Sequence, residues 1–388
     1  MRAVFSPRPT WVGVLVLAIA AFSLSPAAAQ IKIGFQAPLT GPAATDGASA
    51  KVAAELAIDR INASGGILGQ KAELVTYDDQ AKTEDAVFTA NRLVGEDGVK
   101  FAISGSYSAS GRAAAPIFQA AKVVFISAYG VHPDITRAGD YCFRTVHLGQ
   151  PQGRAAAKFI GEMLGDKDVS VISMDNDYGQ ATLEGFKSAA PQFGVNIVGE
   201  YHYPLRDRQF GPIVVSVKRD NPKAIYVTGY FFTGAPLVSQ LRAAGVTAPI
   251  IGSQAFDSQK LIDIAGAAVE GVYVVGGLNR DPSNAEQKQF LKDFEKKAGY
   301  PGENVGATVY SAFMLMADAI RRAGSADPAK VRDALAATKD FPLLAGPLDS
   351  FNSRREINMP MNINIVKDGQ FHHYAWIDDL KLLAPPTE

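Results

Sequence analysis

Residues 99–110 read VKFAISGSYSAS: a β-branched and aromatic run, then a glycine among serines and a tyrosine, then an alanine-rich stretch that reaches Ala121. A short apolar run bounded by a Gly/Ser turn reads as a buried strand, and the spacing beyond it predicts a helix over 110–121. The unit is strand, turn, helix. It recurs in both directions. IKIGFQAPLT (31–40) precedes a helical stretch over 47–62 that Gly65 and Gly66 stop, KAELVTYDD (71–79) precedes another over 83–94, and KVVFISAYG (122–130) follows. Such alternation gives βαβ units and a parallel sheet.

The series restarts after residue 150. DVSVISMD (168–175), GVNIVGEYHY (194–203), KAIYVTGY (223–230), APIIGSQ (248–254) and EGVYVVGG (270–277) read as strands separated by helical segments. Helical patterns follow over 284–298, 305–323 and 328–338, and the β runs MNINIVKDG and FHHYAWI come last. No flexible linker interrupts the pattern. The expectation is an α/β protein of two similar lobes, each built on a parallel-sheet core.

Arg2 and Arg8 precede an apolar run from Trp11 to about Leu24, and Ala27-Ala28-Ala29 offers a cleavage site before Gln30. This reads as a secretory signal peptide over 1–29, too short for a membrane anchor. Its removal takes the formal net charge from −1 to −3. Neither the charge nor any basic run suggests nucleic acid or a membrane surface. The sole cysteine, Cys142, offers no internal disulfide, so the exported chain depends on packing.

Ligands of open α/β sheets bind beyond the carboxyl ends of the strands, and here those ends are rich in Gly, Ser and aromatics. Residues 105–109, Gly-Ser-Tyr-Ser-Ala, miss the G-x-S-x-G of serine hydrolases, and the order of the five histidines defines no triad. His372 and His373 fall on opposite faces of a strand, which argues against a shared metal. DNDYG (175–179) lacks the later ligands of a calcium loop, and nucleotide-binding glycine motifs are absent. No cofactor, metal or catalytic residue is expected. Ser108 lies just ahead of a helix, where it is either a plain cap or part of an anion site; Tyr129 and Gly130 form a similar turn.

The blocks GFQAPLTGPAATDG, AIDRINASGGILGQK, YDDQ, FISAYGVHPDIT, DNDYG, AIYVTGY and AGAAVEGVYV resemble those of the branched-chain amino-acid (Leu/Ile/Val) binding proteins, which are type I periplasmic solute-binding components of ABC importers. The likeness spans residues 31–376. It implies two Rossmann-like lobes joined by a three-crossing hinge, lobe 1 holding 30–149 and 278–354 and lobe 2 holding 150–277 and 355–388. It also implies a periplasmic monomer that gives its ligand to an ABC permease in the inner membrane. By the same resemblance, Tyr107, Ser108, Ser127, Tyr129, Gly130 and Val131 hold the ligand's carboxylate, while Tyr178, Tyr230 and Phe231 face it from the other lobe. Val131 replaces a threonine usual in this loop.

One departure bears on the ligand. Amino-acid-binding members commonly place a glutamate where this chain has Gln254, and the acids that could substitute for it are Asp257 and Asp46. A buried ammonium left without its carboxylate costs about 3–5 kcal/mol. A carboxamide contributes one neutral hydrogen bond of about 1 kcal/mol and favours a carbonyl partner. The sequence therefore suggests a small carboxylate such as an aromatic or branched 2-oxo acid or an aromatic acid. The alternatives are a hydrophobic or branched-chain amino acid and, in another class, a ligand-sensing partner of a signalling protein.

Overall fold

The computed structural model describes residues 1–6, 30–282 and 284–386. The body of the expected signal peptide, 7–29, lies outside the described residues. Among those described, no helix is long and apolar enough to cross a membrane.

The first sheet takes its strands from the N-terminal third of the chain: β1 (Ile31–Ala37), β2 (Ala72–Asp78), β3 (Phe101–Ser104), β4 (Val124–Ser127) and β5 (Cys142–Arg144). They lie in the order β2-β1-β3-β4-β5, all parallel. The inner strands β3 and β4 are buried throughout, as strands covered by helices on both faces must be. The second sheet begins with β6 (Asp168–Met174), β7 (Asn196–Tyr203), β8 (Ala224–Thr228), β9 (Ile250–Gly252) and β10 (Tyr273–Val275). Its parallel part runs β7-β6-β8-β9-β10, the same winding as the first sheet.

The chain then returns to the first lobe. Helix Ala285–Ala298 and helix Asn304–Ala323 pack on helix Ala44–Ala63, burying faces rich in alanine and aromatics. An antiparallel hairpin follows, β11 (Lys339–Leu343) and β12 (Gly346–Ser350). Finally β13 (Met361–Lys367) and β14 (Gln370–Ile377) add antiparallel to β10 and complete the second sheet. The chain thus crosses between lobes three times, within 145–148, 276–284 and 351–360.

Two elements escaped the sequence pattern. The strand β5 is three residues long, too short to show a period, and the β11–β12 hairpin is mostly exposed. The helix expected from Ser110 begins at Ser108, with Tyr107 as its extended cap residue.

Candidate functional site

Both sheets reverse their winding after their first strand, at β1/β3 and at β6/β8, and the strand ends at these points face one another across the cleft. From the first lobe, Tyr107 and Ser108 follow β3, and Tyr129 and Val131 follow β4. From the second, Tyr178 follows β6, Tyr230 follows β8, and Gln254 with Ala255 follows β9. These eight residues line one cavity.

Ser108 is the first residue of helix Ser108–Ala120, whose opening amides have no partner within the helix. Its Oγ accepts the Val131 amide at 3.0 Å, which clips the two first-lobe loops together. The loops can approach this closely because position 130 is glycine: a Cβ there would meet Ile135 Cδ1 at 2.9 Å and Ser127 Oγ at 3.1 Å. The Gly130 carbonyl, in the same peptide unit as the Val131 amide, accepts from Ser127 Oγ at 3.1 Å and from Arg144 Nη1. Donors on the oxygen polarise the N–H at the other end of the peptide and hold it toward Ser108.

Arg144 is fully buried at the end of β5 and also gives Nη2 to the His132 carbonyl at 2.5 Å. Burial pushes its guanidinium down only to about 10, so it remains a cation at neutral pH. A buried guanidinium, its charge partly offset by the Glu356 carboxyl, thus sits behind the Ser108–Val131 contact at a helix N-terminus. Such an arrangement suits an anion.

The second lobe presents a fixed donor. Gln152 Nε2 donates to the His147 carbonyl at 3.2 Å, and a carbonyl can only accept, so that atom is the NH₂ end. The same nitrogen lies 2.8 Å from Gln254, whose contacting atom must therefore be Oε1. Among the described residues the Gln254 NH₂ makes no hydrogen bond, and Gln254 lines the cavity. Tyr178 completes the network: its hydroxyl donates to Gln152 Oε1 at 3.4 Å and accepts the Ala255 amide at 3.3 Å. Burial pushes this phenol up to about 12, which keeps it protonated. Its helix starts at the Asn176 cap, where a Cβ on Gly179 would clash with the Met174 carbonyl at 1.9 Å.

The cavity is small because the lobes are closed on it. Tyr230 is sandwiched between Tyr107 and Tyr178, with ring centroids 4.2 and 5.4 Å away and planes within 12°. The Tyr107–Tyr230 stack crosses from lobe to lobe. The remaining space is about 10 Å³, close to the minimum for one water. Anything larger than a water could occupy this space only if the lobes parted and these rings slid.

Beside the tyrosines lie acids from both lobes. Asp46, in the first turn of helix Ala44–Ala63, accepts the Tyr107 hydroxyl at 2.7 Å. Glu303 caps helix Asn304–Ala323 from an extended conformation, and both of its oxygens lack a hydrogen-bond partner, as do both amide atoms of Asn304. Asp46, Glu303 and Asn304 are each at most 2% exposed. Burial holds both carboxyls well above the usual carboxylate range, Asp46 despite the Tyr107 hydrogen bond and Glu303 further through the nearby charge of Asp46. The Ser49 and Ser258 hydroxyls ease the cost for Glu303 without reaching ordinary hydrogen-bond geometry. Asp257 differs: it pairs with Arg280 and accepts the Leu278 amide at 2.5 Å, so its charge is already answered.

Of the residues singled out in the sequence, Tyr107, Ser108, Tyr129, Val131, Tyr178, Tyr230 and Gln254 meet at the cavity. Ser127 and Gly130 stand behind it and orient the Val131 amide, and Asp46 is reached through Tyr107. Phe231 does not line the cavity; it packs edge-on against Phe232 at 5.3 Å. Sequence reasoning missed Gln152, Arg144 and Glu303. Arg144 was legible as a charge at the end of an apolar run, but nothing local set Gln152 or Glu303 apart from solvent-facing polar residues.

Two doubly wound lobes meeting at one small cavity are the architecture of type I periplasmic binding proteins. The pattern of the periplasmic binding protein family matches residues 30–370, and the chain belongs to that family. It is 33% identical over 325 residues, 83% of this chain and 86% of the relative, to the leucine-, isoleucine-, valine-, threonine- and alanine-binding protein of Pseudomonas aeruginosa. The branched-chain amino acid transporter substrate-binding protein of Streptococcus pneumoniae, solved with isoleucine, superposes with a TM-score of 0.84 at 26% identity, covering 90% of this chain and all of the other. An ABC solute-binding protein of Rhodopseudomonas palustris, solved with 3,4-dihydroxybenzoic acid, superposes at 0.81 with 25% identity, covering 90% and 97%. The protein is thus an ABC substrate-binding protein of the branched-chain amino acid type.

Proposed function

We propose that this chain is an exported receptor that binds a small amino acid with a hydrophobic body, without chemical turnover, and passes it to an inner-membrane ABC permease. The observation that carries this reading is an anion anchor on the cavity wall with a buried acid pair behind Tyr107, which an ammonium would ionise. The Ser108–Val131 anchor backed by Arg144 suits a carboxylate, and the buried acids Asp46 and Glu303, which no protein cation answers, suit an ammonium. The similarity to the Pseudomonas protein, named for leucine, isoleucine, valine, threonine and alanine, supports it. In this reading the chain is a periplasmic monomer, cleaved after about Ala29, whose lobes are 30–149 with 278–354 and 150–277 with 355–388.

A second reading is a 2-oxo or aromatic carboxylic acid. The Gln254 amide favours it, because an NH₂ at the cavity wall welcomes a carbonyl and opposes an ammonium. The likeness to the dihydroxybenzoate-bound protein supports it as well. Calorimetry on protein stripped of co-purified ligand separates the two. Leucine tested against 4-methyl-2-oxopentanoate, and phenylalanine against phenylpyruvate, differ mainly at the 2-position. Tight binding of the oxo acids alone would refute the amino-acid reading.

A further inference from the structure

We propose that Asp46 and Glu303, rather than position 254, receive the ligand's ammonium, and that the ligand is therefore an amino acid whose two charged groups are separated by several methylenes. This rests on the amino-acid reading above and sharpens its substrate class to straight-chain acids such as 4-aminobutyrate and 5-aminopentanoate.

Three observations carry it. First, the wall that would meet a 2-ammonium is a donor: Gln152 fixes the Gln254 amide so that its NH₂ is the free end. An ammonium there would face N–H groups. Second, the unanswered acids lie elsewhere, and Tyr107 measures the offset. Its backbone adjoins Ser108 at the carboxylate anchor and its hydroxyl meets Asp46 at 2.7 Å. A tyrosine side chain is longer than the gap between the two charges of an α-amino acid, and several methylenes are needed to span it.

Third, Asp46 has only the Tyr107 hydroxyl, and Glu303 has no hydrogen-bond partner that explains its burial. Glu303 is 1% exposed with neither oxygen hydrogen-bonded, and neighbouring Asn304 has both amide atoms free. Buried polar groups of this kind call for a partner. The charged or titratable neighbours are Asp257, neutralised by Arg280, and the phenols of Tyr107, Tyr129, Tyr230 and Tyr300, so a cation is missing from the cluster. Tyrosine faces between anchor and acids suit methylenes next to a cation.

The test is calorimetry on stripped protein with leucine, 4-aminobutyrate, 5-aminopentanoate, pentanoate and 4-methyl-2-oxopentanoate, each in two buffers of different ionisation heat. At least one of the two straight-chain amino acids is expected to bind ten-fold or more tighter than leucine, and to take up fewer protons than pentanoate, because its ammonium replaces the proton on the acid pair. In Glu303→Gln and Asp46→Asn that preference should fall at least ten-fold while pentanoate binding holds; thermal unfolding checks that both variants fold. Leucine binding more tightly than both straight-chain acids, or variants that leave the preference intact, overturns the inference and leaves the amino-acid reading standing. Binding of the oxo acid alone overturns both.

Discussion

Replacing Gln254 with glutamate changes one atom at the cavity wall and disturbs nothing behind it. The contact from Gln152 Nε2, 2.8 Å long, goes to the Gln254 oxygen, which glutamate retains. The free NH₂ becomes a carboxylate oxygen facing the ligand. For an α-amino acid this turns an opposed pair of donors into a charge-assisted hydrogen bond of about 1.5–3 kcal/mol, roughly ten- to hundred-fold in affinity. The lower end is expected, because Asp46, Glu303 and Asp257 already place acidic groups nearby and a further buried carboxylate is costly. For 4-methyl-2-oxopentanoate the same change removes a donor and sets oxygen against oxygen, so affinity should fall about ten-fold or more. Calorimetry of wild type and Gln254→Glu with leucine and the oxo acid reads both. If neither affinity moves by more than about two-fold, the amide does not face the ligand, and the orientation argued from the His147 carbonyl is wrong.

The remaining predictions probe the anchor and the acids. Ser108→Ala should weaken carboxylate binding by about 1–3 kcal/mol, measured by calorimetry, because the anion loses a buried hydroxyl donor. Arg144→Met withdraws donors from the buried Gly130 and His132 carbonyls, and a urea midpoint should report a loss of about 2–3 kcal/mol together with weaker anion binding. Glu303→Gln should make stability less dependent on pH. Burial raises the folded-state Glu303 carboxyl above its ordinary value of 4.5, so the folded protein holds a proton that the unfolded chain releases. Stability from this group is therefore fully present below 4.5 and lost as pH rises through the folded value. Denaturant midpoints at acid, neutral and mildly alkaline pH should fall more steeply for wild type than for the variant, and parallel slopes would show that Glu303 is not held protonated.

Much of this protein is legible along the chain because each part is local. Strand runs such as FAIS and VFIS announce themselves by β-branched and aromatic residues, and a site built from the turns that follow them inherits their positions. The Gly/Ser/Tyr turns at 105–108 and 127–130 accordingly mark the candidate anchor in the sequence itself. Only the folded structure decided the rest. The direction of the Gln254 amide depends on Gln152 and a backbone carbonyl from another segment, the oriented Val131 amide depends on an arginine at the end of a later strand, and Asp46 comes within electrostatic reach of Glu303 because the chain returns to the first lobe after completing most of the second. Hydrogen-bond direction and the burial of like charges are properties of groups brought together from distant segments, and sequence spacing carries no record of them.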